Sequence, residues 1–305
     1  MKRNCNLLFL LIALFHFSCK QPGKPKPPQP SFKSVIGIHY TEVRRTFKNG
    51  VIFNGQGFQL IPEWRFTFVS ADSINIYSPE KKRFFNCPVI FDHDSVFNIA
   101  WAWLKLKKLT KDSIKFQVLH VENKVIIDDR SNLYMTIYSD DYIKNKLHTD
   151  AQTLQKPTRA DTLFIKTKIA LANRVPDSSF AGTEQPILKS KSPLLTIKRV
   201  ETPPDPAETD DPKADYINPE YNITITKAYK NFNYSFVGTV DAMGQLHFWR
   251  STVIPIDKDF ETWQNRMMTG IVNGYLKLYL TIQPGKTLGL PHNCFVILNV
   301  TGKAG

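Results

Sequence analysis

The sequence predicts a β-rich α+β protein: an N-terminal antiparallel β barrel or sandwich, then a small ββαβ domain. Three observations carry that expectation. Apolar residues recur at every second position in short runs between residues 34 and 145, the spacing that lines one face of a strand. A turn-and-strand unit recurs as "ADSINI" at 71, "HDSVFNI" at 93 and "KDSIKF" at 111, with "ADTLFI" at 160 as a relative. Near the C-terminal end, a stripe of apolar residues at helical spacing follows a hairpin pattern.

The first element is a targeting signal, residues 1–18. Lys2 and Arg3 precede an apolar run of 11 residues, Leu7–Phe17, broken by His16. A spanning helix needs about 20 apolar residues, so this run suits the core of a secretory signal instead. Ser18-Cys19 puts a small residue directly before a cysteine. The pattern resembles the lipobox of bacterial lipoproteins, and its "FSC" is similar to the looser boxes of the Bacteroidetes type. The family's aliphatic residue three before the cysteine is His16 here. The resemblance implies cleavage before Cys19 and a lipid on its thiol. Residues 19–33 form a Pro- and Lys-rich tether. Pro22, Pro25, Pro27, Pro28 and Pro30 favour extended polyproline geometry, a semi-rigid spacer. A disordered basic tail without a partner is the plainer reading of the same residues.

Residues 34–145 read as an antiparallel β domain. In "WRFTFVSADSINIYSP" (64–79), Trp64, Phe66 and Phe68 share one face. In "WAWLKLKKLTKDSIKFQVLHV" (101–121), Leu104 and Leu106 alternate with lysines. Asp and Ser satisfy turn backbone groups, and β-branched residues then start strands. Trp64 on an early strand, followed by these hairpins, resembles the lipocalin-like domains of Bacteroidetes lipoproteins. That resemblance implies a barrel able to hold an apolar ligand, against the alternative of a barrel filled by its own side chains.

Residues 146–200 read as an irregular, partly β connecting region, with strands at 161–171 and 192–200. Residues 201–220 hold five prolines, seven acidic residues and one lysine. This composition buries little, so the stretch reads as an acidic linker at a domain boundary. From 221 to 305 the order is strand, hairpin with an Asp241–Gly244 turn, helix at 257–276, Pro284-Gly285 and final strand. Phe260, Trp263, Met267, Ile271 and Tyr275 form the helix's apolar stripe. The order resembles the C-terminal domain of TonB-like proteins. "IQPG" (282–285) stands where that family carries a tryptophan motif. The resemblance implies docking by strand addition at a sheet edge, although a lipobox replaces the family's membrane helix.

Asp92-His93-Asp94 has metal-like chemistry, yet as a strand it would split His93 from the two carboxylates, and a polar turn is the simpler reading. "PGKTLG" (284–289) imitates a phosphate loop but has Leu280 where the first glycine belongs. His292 and Cys294 suggest a Cys/His pair or a core thiol. Trp101 and Trp103, two apart, suggest a sugar platform or core packing. Cys87 and Cys294 read as buried free thiols, although an oxidising compartment would permit pairing. The formal charge of +13 falls to +11 without Lys2 and Arg3. That favours anionic envelope surfaces, and an exported chain without a nucleic-acid motif argues against nucleic acid.

The expected function is therefore non-enzymatic and needs no cofactor. It is a lipoprotein anchored through Cys19 at the periplasmic face of the outer membrane, docking envelope proteins or peptidoglycan. The alternative is a lipocalin-like carrier of a small apolar ligand.

Overall fold

The computed structural model describes residues 29–201 and 214–305. The expected signal, Cys19 and most of the tether lie outside them, as does the centre of the acidic stretch. Eight antiparallel strands close into a barrel: β1 (His39–Phe47), β2 (Arg65–Phe68), β3 (Ser73–Ser78), β4 (Arg83–His93), β5 (Val96–Ile99), β6 (Ala102–Leu109), β7 (Ser113–Leu119) and β8 (Leu133–Ser139). Each strand pairs with the next in sequence, as the local turn chemistry dictates. Closure comes from β1, whose Tyr40 faces Phe66 on one side and Ser139 on the other. The barrel-or-sandwich choice thus resolves to a barrel.

A bulge makes that closure feasible. The register of β1 against β8 shifts between Glu42 and Arg44, so Val43 is the extra residue. Bulges bend a strand and sharpen its twist. The bend carries Glu42 inside, where it is fully buried. Its carboxylate accepts a two-pronged bond from Arg45 at 2.8 and 2.9 Å and the backbone N–H groups of Glu63 and Trp64. A buried carboxylate survives only when its lone pairs are taken up in this way.

The alternating residues point where the period predicts. Phe66, Phe68, Ile74, Ile76, Ile99, Leu104, Phe116, Met135 and Ile137 fill the interior. A 3-10 turn, Phe32–Val35, plugs one mouth. Phe32 stacks on Phe68 with centroids 4.2 Å apart and lies 4.9 Å from Phe97. Burying such a ring contributes about 2–3 kcal/mol. At the same end, the Tyr40 hydroxyl donates to the carbonyls of Thr110 and Lys111.

Residues 161–171 are helical, not the strand their Asp-Thr-Leu opening suggested. After α1 (Ala151–Gln155), α2 runs from Arg159 to Arg174. A capping box starts it: Thr158 accepts from the Asp161 N–H while the Asp161 carboxylate accepts from the Thr158 N–H. This reciprocal pair satisfies two orphan helix donors and outweighs the β-branched residues that follow. Asp161, Ile165 and Ala172 share the buried face.

The acidic stretch joins neighbours within one sheet. Strands β9 (Ile187–Ser190) and β10 (Leu195–Arg199) precede it, and β11 (Glu220–Ala228) follows. β10 pairs with β11, and β9 pairs with β14 (Leu280–Gln283). The C-terminal unit therefore begins before the expected boundary and takes in much of the supposed connecting region. Its sheet runs β10-β11-β15-β12-β13, with β12 (Phe232–Val240), β13 (Leu246–Ser251) and β15 (Cys294–Ala304). Helix α3 (Lys258–Ile271) begins at Asp257, whose side chain accepts from the Phe260 N–H. Its buried face is Gln264, Met268 and Ile271, extended by a π-helical turn through Val272 and Leu276. The expected stripe is rotated by one residue. Trp263 is 46% exposed and packs on Phe260 and Tyr234 instead of the core.

Candidate functional site

The site with the richest chemistry lies where the barrel meets the C-terminal sheet. It is built on β13, an edge strand. Between β12 and β13 the register passes from Val237–Arg250 to Gly238–Phe248, leaving Trp249 as a bulged residue. Phe248 turns to the helix side, 5.7 Å from Phe236. Trp249 turns to the opposite face, 4.7 Å from Phe295. The indole N–H donates to Asp177 Oδ1 at 2.7 Å, which fixes the ring. The Arg250 guanidinium lies 4.3 Å over the Trp249 ring, a cation–π contact.

Above this aromatic floor is a cleft of about 690 Å³. The barrel's long β1–β2 loop supplies one wall through Gly55 and Gln56, and Ser179–Ala181 supply another. The loop that enters α3 forms the rim, and Ile254 there is 90% exposed. Ligand clefts have this size and this mixture of apolar surface with a few polar groups. Arg250 is the charged side chain in the lining. The cleft is thus equipped to hold an apolar or aromatic side chain beside an acceptor or carboxylate.

A second hollow, about 340 Å³, lies at the plugged mouth of the barrel between Pro30–Ser31 and the side chains of Val89, Phe91 and Phe97.

Behind the cleft, Phe180 stacks on His292 with centroids 3.9 Å apart and planes 9° apart. Lys168 also approaches Phe180, its Nζ 5.0 Å from the ring centre. His292 is fully buried. Burial, with the Lys168 charge adding, pulls its pKa from 6.5 down to about 4, against a bond from Nδ1 to the Asn293 carbonyl. Its Nε2 meets the Thr287 hydroxyl at 2.9 Å. Cys294 Sγ is 3.5 Å from His292 Nδ1, but burial pushes the thiol up to about 12. A neutral imidazole beside a protonated thiol is packing chemistry, the reverse of an activated nucleophile.

The other candidates do not line the cleft. Asp92 and His93 end β4, exposed and bonded to each other, while Asp94 turns the chain at φ +47°. Among the described residues, no three His, Cys, Asp or Glu side chains group as metal ligands. Lys286 and Thr287 belong to a small hairpin with Leu290–Pro291, where a phosphate loop requires a helix. Trp101 is not a strand residue sharing a face with Trp103. It occupies the β5–β6 turn after Ala100, whose φ is +55°, and packs on Trp64 and Phe85. Both cysteines are free thiols, but only Cys294 is buried as expected; Cys87, on β4, is half-buried against the barrel core. Cys19 lies outside the described residues.

No protein-family model matches the chain, and no curated protein matches it.

Proposed function

We propose that this chain is a non-enzymatic docking protein of the cell envelope, tethered by lipid on Cys19, and that the barrel–sheet cleft receives its partner. The carrying observation is the cleft itself: an aromatic floor, Arg250 and an exposed Ile254 beside edge strand β13. An edge strand offers unpaired main-chain groups to an extended segment, whose alternate side chains then enter adjoining pockets. A protein segment of alternating apolar character fits that surface. The proposed occupant is a loop or terminus of an envelope protein.

The test is tryptophan fluorescence of the full chain titrated with an array of extended apolar and acidic peptides. Saturable quenching that Ile254→Asp and Trp249→Ala abolish is the expected result. Quenching by no peptide, or binding untouched by either substitution, overturns docking at this cleft. The anchor is tested separately by intact mass and detergent partitioning of wild type against Cys19→Ala.

One observation favours the carrier as a second reading: the 340 Å³ hollow at the barrel mouth, lined by Val89, Phe91 and Phe97. Displacement of an apolar dye by fatty acids, lost in Phe91→Asp, would favour it over docking.

A further inference from the structure

Three adjacent barrel strands carry a composition that folding alone does not favour. β6, β7 and β8 read "AWLKLKKL", "SIKFQVL" and "LYMTIYS", without a single acidic residue. Their inward positions, Leu104, Phe116, Met135 and Ile137, are buried. Lys105, Lys107, Lys108 and Lys115 are all exposed on the outer wall. The register sets Lys108 directly opposite Lys115. Like charges so placed destabilise a sheet. None of these lysines forms an ion pair among the described residues. Aromatic rings interleave with them: Trp103, Tyr134 and Tyr138 are half-buried, and Lys115 Nζ lies 5.6 Å from the Tyr134 ring centre. Carboxylates bordering the wall stay in the connections: Asp94 before β5, Asp112 between β6 and β7, Glu122, Asp128 and Asp129 between β7 and β8, and Asp140 and Asp141 after β8.

We propose that this wall is a second binding surface, and that it lies against the anionic headgroups of a phospholipid bilayer. The argument is charge complementarity. Lysines without carboxylate partners gain most from a plane of phosphates, and each adds to attraction while the surface is within a Debye length. Half-buried Trp and Tyr rings suit the boundary between headgroup and acyl chain, and lysine stems extend along apolar surface. The proposal takes its setting from the envelope reading. It stands or falls on different residues.

The experiment uses the full chain with Cys19→Ser, so that no thiol is acylated at that position. Co-sedimentation with phosphatidylcholine vesicles is compared with vesicles also containing phosphatidylglycerol. The expected result is a preference of about tenfold or more for the anionic vesicles at low salt, lost at high salt. Apolar insertion of residues 7–17 would bind both vesicles alike, whereas Lys20, Lys24, Lys26 and Lys33 of the tether would favour the anionic vesicles in every variant, so the wall is read from the part of the preference that its own lysines carry. A Lys105→Glu, Lys108→Glu double variant should lose most of the preference. It sets an opposite charge against Lys115, so the strand pairing is kept, and circular dichroism confirms the fold. Equal binding to the two vesicles, or an undiminished preference in the variant, overturns the proposal. So does retention on a soluble polyanion without vesicle preference, which would reassign the wall to an acidic polymer. Each of these failures leaves acylation at Cys19 and docking at the cleft standing.

Discussion

His292 and Asp161 are both buried and titratable, and they act at different pH. The His292 pKa is lowered when folded, so between about 4 and 6.5 the unfolded chain binds a proton that the folded chain does not. Stability from this group is complete above pH 6.5 and falls as pH drops towards 4. The shift corresponds to roughly 3 kcal/mol across that window. Urea denaturation at pH 7 and pH 5 should show about 2 kcal/mol of the loss, and His292→Gln should flatten it. For Asp161, burial raises the pKa, but bonds from Thr158, Arg44 and the Ile52 N–H outweigh it and hold the carboxyl below its ordinary value. Its contribution is present above the unfolded carboxylate pKa near ~4 and is lost as pH falls through the folded one. Asp161→Ala leaves the Ile52 N–H without its acceptor and Arg44 with only its long contacts, 3.4 Å, to the Gly50 carbonyl and the Thr158 hydroxyl. It should cost about 3–5 kcal/mol at pH 7, read as a lower urea midpoint, with Asp161→Asn costing less.

At the scale of elements, the hairpins were legible because a two-residue period and a turn signal agree. Trp64, Phe66 and Phe68 point inward as their spacing requires. Helix α2 reads as a strand in the sequence because "ADTLFI" imitates the strand-starting unit; the decisive signal is the Thr158–Asp161 capping box three residues apart. The stripe on α3 slipped because Trp263 is apolar in sequence, whereas Gln264 takes the buried position. The cleft was not legible at all. Trp249 reaches it through a bulge, and its walls come from residues 55–56, 179–181 and 249–255, which no local pattern connects. One trace existed in the apolar run Val253–Ile256, placed in a loop directly before the Asp257 cap. The lysine wall offers a sharper test of what elements give up for function. Lys108→Glu replaces a repelling cross-strand pair by an attracting one, and should stabilise the barrel by about 0.5 kcal/mol. A higher melting temperature with weaker anionic-vesicle binding is the expected pairing. A lower melting temperature would mean that the wall's charge is not a cost to the fold.

The whole molecule places its two ends of interest at opposite ends of the barrel. The chain enters at the mouth plugged by Phe32, on the side of the β2–β3, β4–β5 and β6–β7 turns. The C-terminal unit attaches at the other end, on the long β1–β2 loop. There Ala181 N–H donates to the Gln56 carbonyl, Phe58 meets Tyr216 edge to face, and Asn293 bonds the end of α2. Gly57 is the tightest point of that joint. Its φ is +87°, and a Cβ there would lie 2.3 Å from the Ala181 carbonyl oxygen and 2.6 Å from the Phe180 ring. Gly57→Ala therefore combines an unfavourable backbone with a collision against main chain, together roughly 2–4 kcal/mol. Each unit keeps its own core, so the loss should fall on the joint. Calorimetry of the wild type should show one transition and the variant two, as barrel and sheet melt separately. Peptide binding at the cleft should weaken in the same variant, because its walls come from both units. Anionic-vesicle binding should not change, because β6–β8 belong wholly to the barrel. A variant that loses both together would show that the cleft and the lysine wall do not act as separate surfaces.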